Sequence, residues 1–200
     1  MKQIGEYENT LIIFLSDNGP DIGKKAEPKD YQVWLEERGI DNCYETIGGT
    51  NSFIHYSKPW AQVSATPLLQ FKGRCAEGGI RVPAIISYPG TIKPEIRSSA
   101  FCSVLDITPT LLEYAQVEHP GEQYNGKRIY KMDGRSIRPL LEGKMEHIYD
   151  YDNSIAFELF GTGNSALFLG DWKILKLSPP FGNGHWQLFN LHQDQRELND

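Results

Sequence analysis

The sequence has few cysteines and no long apolar run, and each shortage excludes a class of protein. Cys43, Cys75 and Cys102 are odd in number and widely spaced, which predicts buried or idle thiols rather than a disulfide framework or a cysteine-based zinc site. No segment approaches the roughly 18 continuous apolar residues that span a bilayer, and MKQIGEYENT lacks the apolar core of a signal peptide. We therefore expect a cytoplasmic protein with no membrane partner.

Basic residues are scarce relative to acidic ones. Twenty Lys and Arg against 26 Asp and Glu give a formal net charge of -6, which opposes general binding to nucleic acid or to an anionic membrane surface. A small anionic substrate stays compatible with this charge, because a local lysine or metal ion can override the average field. Hydrophobic residues make up 40% of the 200 residues, enough for a folded domain with a core.

Two apolar runs with sharp boundaries predict strands. Leu11 to Leu15 is uninterrupted and stops at Ser-Asp-Asn-Gly-Pro, a pattern typical of a strand buried on both faces of a parallel sheet. Pro83 to Tyr88 lies between two Gly-containing turns and predicts a second strand. The polar stretch from Asp21 to Tyr56 between them predicts a long surface excursion, and such loops are often functional.

Two Thr-Pro pairs predict helix starts. Thr66 and Pro67 are expected to cap and begin a short helix that ends at Gly73. Thr108 and Pro109 are expected to do the same for a helix reaching Ala115. A loop is predicted over Glu118 to Arg138.

The end of the chain has a different pattern. From Ser154 onward the pieces SIAFELF, ALFLG, WKILKL and WQLFNL are separated by Gly-rich or Pro-rich turns, which predicts antiparallel strands. Trp172 and Trp186 are expected in the core. We predict an α/β domain over residues 1–148 and a small antiparallel subdomain over residues 149–200.

Asp17 and Asn18 are candidate metal ligands. They offer a carboxylate and an amide oxygen just past a predicted strand, where open α/β sheets bind ligands. These hard oxygens suit calcium or magnesium. The alternative is a plain Asp-Asn-Gly turn. Calcium takes about six to eight oxygen ligands, so further ligands would have to come from elsewhere.

Lys72 is a candidate for binding an anion. It begins a stretch, KGRCAEGGIRVP, whose small residues let the backbone approach a ligand closely, and its ammonium could meet a sulfate or leaving-group oxygen. The alternative is a solvated lysine that satisfies helix-end carbonyls. Arg81 is expected to make a structural pairing with Glu77 or with backbone carbonyls. The five histidines lack a metal-ligand spacing; His55 is the one near these candidates.

Four ordered blocks together resemble a known family. LIIFLSDNGP, WAQVSATPLLQFKGRCAEGGIRVPAIISYPG, DITPTLLEYA, and GDWKILKL followed by WQLFNLHQDQRELND are similar in order and spacing to the later half of type I arylsulfatases of the alkaline-phosphatase superfamily. Bacterial aryl and alkyl sulfatases look most similar. The resemblance implies the later half of a mixed-sheet α/β/α core followed by a small carboxyl-terminal antiparallel sheet.

The resemblance also implies roles for the candidate residues. Asp17 and Asn18 would be calcium ligands, and Lys72 would bind the sulfate group as a catalytic and substrate-binding residue. In such enzymes a Cys or Ser within Cys/Ser-x-Pro-x-Arg becomes formylglycine, whose hydrated aldehyde attacks sulfur. None of the three cysteines, and no serine, lies in that motif, so this chain carries no nucleophile.

Three hypotheses follow for the function. The first is a sulfuric ester hydrolase fragment, inactive by itself, whose partners are a small-molecule sulfate ester and a missing amino-terminal half that would carry the formylglycine. The second is a phosphate or phosphonate ester hydrolase of the same superfamily. The third is a non-catalytic sulfatase-like protein that lost its nucleophile.

Overall fold

The computed structural model describes residues 1–23, 31–54, 57–161 and 163–200. The chain forms two compact units, each built from two separate stretches of sequence. Unit 1 comprises Met1–Leu15 and Ala84–Ile155, and unit 2 comprises Ser16–Pro83 and Ala156–Asp200. The division into residues 1–148 and 149–200 stays a prediction.

The regular elements are short. None of the helices formed by the described residues combines the length and apolarity that a bilayer crossing requires. Single 3-10 turns lie at Lys2–Ile4 and Val104–Asp106. The helices and strands are, in chain order, β1 Ile12–Leu15, α1 Tyr31–Glu36, α2 Lys58–Ala65, α3 Glu77–Ile80, β2 Ala84–Ser87, α4 Ile107–Ala115, β3 Gln123–Tyr124, β4 Lys127–Arg128, α5 Arg138–Leu141, β5 Ile155–Glu158, β6 Asn164–Leu169, β7 Trp172–Leu177 and β8 Trp186–Asn190.

The first two predicted strands are confirmed as β1 and β2 of unit 1. They pair antiparallel, with Ile12 opposite Ser87 and Leu15 opposite Ala84. Burial on both faces of a parallel sheet was therefore the wrong interpretation of this run, since Phe14 is 71% exposed. A continuous apolar run specifies a strand with two apolar faces, but the described residues give β1 only one neighbouring strand.

The helix predicted to begin at Thr66 is wrong. Helix α2 precedes that residue, with Ser57 at its N-cap position and Pro59 in its first turn, and it ends at Ala65. Thr66 is the C-cap, with ψ of 135°, because a residue followed by proline is pushed out of the helical region. The Thr66 hydroxyl donates to the Gln62 carbonyl at 3.1 Å, so it ends a helix rather than starting one.

The second predicted helix is confirmed as α4, but its cap is not Thr108. The helix begins at Ile107, directly after the turn Val104–Asp106. Ser103 caps that turn: its hydroxyl accepts from Leu105 N at 3.3 Å, and its own N–H donates to Asp106 Oδ2 at 2.7 Å. Pro109 then falls within the first helical turn, where no backbone N–H is needed.

The two predicted loops contain short regular pieces. The stretch from Glu118 to Arg138 holds the hairpin of β3 and β4, whose strands have two residues each. The excursion from Asp21 to Tyr56 holds α1. Residues 24–30 and 55–56 of that excursion, and therefore His55, lie outside the described residues.

The carboxyl-terminal strands are confirmed as a four-stranded sheet in the order β5-β6-β7-β8, antiparallel between β6 and β7 and between β7 and β8. Alternation along β7 turns Lys173, Leu175 and Leu177 inward. Trp172 and Trp186 are 43% and 53% exposed, so placing them in the core was wrong. Of the neighbouring residues Trp172 and Lys173 in β7, the lysine is the buried one.

Candidate functional site

The turn after β1 presents the two predicted metal ligands. Within it, the Ser16 hydroxyl donates to the Asn18 carbonyl at 2.9 Å. Asp17 is exposed and Asn18 is half-buried. Among the described residues, neither the Asp17 carboxylate nor the Asn18 amide makes a hydrogen bond or an ion pair. Both side chains are therefore available to an external ligand.

Backbone contacts hold this turn against the segment that carries Lys72. Gly19 N donates to Gly79 O at 3.0 Å, and Lys72 N donates to Pro20 O at 3.0 Å. The approach is close enough to require glycine, because a Cβ on Gly19 would lie 1.9 Å from Gly78 O. The structure thus brings the three predicted site residues into one part of unit 2.

Lys72 is engaged by a residue that the sequence did not single out. Its Nζ lies 2.9 Å from Asp21 Oδ2, and Asp21 Oδ1 accepts from Gly23 N at 3.0 Å. The hydrogen bond to Asp21, followed by the charges of Asp21 and Asp17, raises the pKa of Lys72. The ammonium is 44% exposed at the side chain, so it is both charged and reachable. An acidic residue after a turn is too common to have been recognised in advance.

A buried ion cluster also lies in unit 2 and consists of Lys173, Glu77 and Glu197. Lys173 Nζ lies 2.8 Å from Glu77 Oε1 and 2.7 Å from Glu197 Oε1. The Glu197 side chain also accepts from Glu77 N at 2.8 Å, so it caps the first residue of α3. Arg81 Nη1 lies 3.6 Å from Glu77 Oε2, which confirms the expected structural pairing of Arg81.

The buried cluster connects the carboxyl-terminal segment to the predicted site. Burial raises the pKa of Glu197, although the charge of Lys173 and the N–H of Glu77 act in the opposite direction. Glu77 begins α3, and the same four-residue helix supplies the Gly79 carbonyl that holds Gly19. The cluster therefore fixes the backbone on which the Asp17 turn rests.

The donor set present is compatible with calcium but small. Asp17 and Asn18 supply one carboxylate and one amide oxygen, both of the hard type that calcium prefers. Over the described ranges, no group of three or more His, Cys, Asp or Glu side chains is arranged to hold a metal ion. Asp17 and Asn18 as metal ligands, and Lys72 as a sulfate ligand, stay predictions.

The cysteines show no activated thiol. Cys43 and Cys102 are exposed, and Cys75 is buried. The Cys75 thiol donates to Asn164 O at 3.1 Å, and its N–H donates to Asn164 Oδ1 at 2.9 Å. Burial raises the pKa of Cys75, which disfavours the thiolate.

Comparisons with known proteins place this arrangement in a class and then in a family. Solved structures that match the whole chain share its α/β architecture with the small antiparallel sheet, which is the alkaline-phosphatase-like fold predicted above. The family model of sulfatases matches residues 1–117, and the model described as N-sulphoglucosamine sulphohydrolase, C-terminal, matches residues 71–200. The chain belongs to the sulfatase family.

Individual relatives agree with this assignment. An uncharacterized sulfatase of Schizosaccharomyces pombe is 40% identical over 99% of this chain, which covers 35% of that protein. An arylsulfatase of Klebsiella aerogenes is 33% identical over 72% of this chain and 31% of its own length. The crystal structure of Ps i-CgsB in complex with k-i-k-neocarrahexaose is 27% identical, with a TM-score of 0.66 over 100% of this chain and 34% of that one. This chain thus spans about a third of the length of these relatives.

Proposed function

We propose that this chain contributes the calcium-binding and sulfate-binding side of a sulfuric ester hydrolase that acts on small-molecule sulfate esters. Family membership supports the reaction class. The observation that carries the proposal is the pair of backbone hydrogen bonds, Gly19 N to Gly79 O and Lys72 N to Pro20 O, both at 3.0 Å. They hold the turn that carries Asp17 and Asn18 against the segment that carries Lys72, which supports a shared site for the proposed oxygen ligands and the cation.

Each residue has a distinct role in this proposal. Asp17 and Asn18 would hold calcium through their side-chain oxygens. Bound calcium would supply Lewis-acid stabilisation of charge on the sulfuryl oxygens. Lys72 is an ammonium at neutral pH, and Asp21 raises its pKa further. It would donate hydrogen bonds to a sulfuryl oxygen and orient the ester. When a sulfate group binds, Asp21 would either give up its ion pair with Lys72 or share the Lys72 ammonium with the sulfate.

The chain by itself is expected to be inactive. No Cys or Ser within it lies in Cys/Ser-x-Pro-x-Arg, and covalent catalysis needs that nucleophile. Incubation of the 200-residue chain with 4-nitrophenyl sulfate and calcium should release no phenol above the blank. Metal-dependent phenol release from the purified chain would contradict this expectation.

Anion binding tests the proposed site without requiring turnover. Sulfate is titrated by calorimetry into the chain and its variants, with and without calcium, and the 15N resonance of Lys72 is followed in parallel in the variants that keep this lysine. We expect saturable binding that is lost in Lys72→Gln and kept in Lys131→Gln, a control at an exposed lysine of unit 1. Asp17→Asn should reduce the effect of calcium and leave the calcium-free titration unchanged. Equal binding by Lys72→Gln and the unsubstituted chain would refute the role of Lys72, and tighter binding of phosphate would favour a phosphate ester hydrolase.

A further inference from the structure

Arg74 is a half-buried cation without an acidic partner. It follows Lys72 by two residues, across Gly73, whose φ is 82°. Among the described residues, no carboxylate lies within ion-pair distance of its guanidinium. Nη1 donates to Gly73 O at 2.6 Å, and the buried Nε has no partner in the same part of the chain. Burial lowers the pKa of Arg74, as expected for a desolvated and unpaired charge.

An aromatic ring supports this guanidinium. The guanidinium carbon Cζ of Arg74 lies 3.5 Å from the centroid of the Phe181 ring, and Lys58 Nζ lies 5.1 Å from the same centroid. Phe71 packs edge-on against Phe181, with ring centroids 6.0 Å apart, and the Gln70 amide donates to Phe181 O at 3.1 Å. Two cations therefore meet one fixed ring in a chain whose net charge is -6.

Arg74 lines a pocket of about 180 Å³ in unit 2. None of the described residues that line it is acidic. Asn164 is partly engaged, because its Nδ2 donates one hydrogen to Gly73 O at 2.9 Å and its Oδ1 accepts from Cys75 N. The exposed Ser178 hydroxyl makes no hydrogen bond within the described ranges. The side-chain groups left for a ligand are thus the Arg74 cation, the Ser178 hydroxyl and the second Nδ2 hydrogen of Asn164, all of which can donate to an anion.

An exposed aromatic residue forms the rim of the same pocket. Phe160 is 90% exposed, and its φ of 58° puts a bulky residue in the left-handed region, where such residues are rare and often functional. Exposed aromatic faces stack on flat or ring-shaped ligands. Burial therefore does not explain the position of Phe160, and its exposed ring is available to contact a ligand ring at this rim.

We propose that the pocket between Arg74 and Phe160 binds a ring-bearing organic anion, with Arg74 and Ser178 holding the anionic group and Phe160 stacking on the ring. This inference rests on the proposed function. In it, the ring belongs to the alcohol part of the sulfate ester and carries a second anionic substituent. The pocket then selects acidic cyclic esters, while Lys72 holds the sulfate that is removed.

The test is a calorimetric titration of the full chain with glucose 6-sulfate, phenyl sulfate, inorganic sulfate and glucose as probes. We expect the sulfated rings to bind more tightly than sulfate or glucose. The ratio of the dissociation constants of glucose 6-sulfate and phenyl sulfate shows whether the pocket prefers a saccharide or an aryl ring. Loss of a charge-assisted hydrogen bond in Arg74→Gln should weaken both rings by about tenfold or more. Phe160→Gly, which accepts the left-handed conformation freely, should weaken the rings and leave inorganic sulfate unchanged.

Other outcomes separate this pocket from the proposed sulfate site. If Lys72→Gln abolishes ring binding while Arg74→Gln and Phe160→Gly bind normally, the pocket is refuted and the Lys72 site stands. If Lys72→Gln binds the rings normally while both pocket variants fail, the pocket stands, and the sulfate titration described above decides the role of Lys72 separately. Glucose binding as tightly as glucose 6-sulfate, or no binding by any ring, also overturns the pocket. Should Arg74→Gln not fold, the exposed Phe160→Gly decides by the same criteria.

Discussion

Two lysines of unit 2 form ion pairs of similar length in opposite surroundings. Lys173 lies 2.7 and 2.8 Å from two carboxylates, and its side chain is 0% exposed. Lys72 lies 2.9 Å from Asp21, and its side chain is 44% exposed. The first is inaccessible to any ligand, and the second is accessible to solvent and, in the proposed function, to the sulfate group. Exposure rather than distance therefore separates the lysine that maintains the fold from the lysine available for chemistry.

The local sequence explains why the two environments differ. Lys173 lies on the inward face of β7, between residues whose alternation also buries Leu175 and Leu177. A charge there persists only with partners, which Glu77 and Glu197 provide. Lys72 lies on a turn beside Gly73, and solvent screens its pair with Asp21. The following substitutions break or sharpen this contrast, from the largest expected effect to the smallest.

Removal of the buried lysine should have the largest effect. Lys173→Met keeps most of the side-chain volume but leaves Glu77 and Glu197 facing each other without a cation. Breaking one side of a buried ion cluster costs about 3–5 kcal/mol, so the free energy of unfolding measured with urea should fall by that order. Lys176→Met in the same strand, where Lys176 Nζ lies 5.9 Å from the Trp186 ring, is the control and should change it little. Equal effects in the two variants would show that the cluster does not stabilise the fold.

The backbone contact beneath the predicted site should come second. In Gly19→Ala the new Cβ would lie 1.9 Å from Gly78 O, so the turn must move, at a cost of about 1–3 kcal/mol. Gly39→Ala is the control, because its Cβ meets open space and only the φ of 60° is strained. We expect the 15N shift of Lys72 and its response to sulfate to change in Gly19→Ala alone. An unaltered Lys72 resonance would mean that the Asp17 turn and Lys72 are not coupled.

The pH dependence of stability should report on Glu197. Burial raises its pKa in the folded state above the ordinary value of 4.5, so the folded chain binds a proton more tightly than the unfolded chain. This contribution to stability is fully present below about pH 4.5 and is lost as pH rises through the folded pKa, by about 1.4 kcal/mol for each unit of elevation. In Glu197→Gln, the free energy of unfolding measured with urea should depend less on pH over this range. A contribution from Glu197 that grows with pH would reverse the sign and contradict the assignment.

The sequence predicted the elements that depend on local pattern. Alternating and uninterrupted apolar runs identified β1, β2 and the carboxyl-terminal strands, and the four ordered blocks identified the family. The Thr-Pro signal was ambiguous, because the same pair ends α2 at Thr66 and lies within the first turns of α4 at Thr108. Neighbouring residues decide that ambiguity: Ser57 and Pro59 start α2, and Ser103 starts the turn before α4.

Contacts between distant parts of the sequence could not be predicted in the same way. Lys173 and Glu197 lie 96 and 120 positions after Glu77 in the sequence. In its local sequence, each of the three residues looks like an ordinary solvent-exposed charge. Trp172 was expected in the core, whereas the pleat of β7 exposes it and buries the neighbouring Lys173. Residue type and position made Asp17, Asn18 and Lys72 candidates, and the family resemblance linked them to one another, which spacing alone does not.

Neutralising the exposed partner should have the smallest effect on stability and a specific effect on binding. Asp21→Asn removes the hydrogen bond and charge that raise the pKa of Lys72, so that pKa should fall toward its ordinary value. The urea midpoint should stay unchanged, since exposed pairs contribute little. Sulfate should bind a few-fold more tightly, because the ammonium is released and a negative charge is lost from the site. Glu37→Gln, which removes the exposed partner of Arg38, is the control. Weaker sulfate binding by Asp21→Asn would show instead that Asp21 positions Lys72 for the anion, and an unchanged Lys72 pKa would show that the pair does not persist in solution.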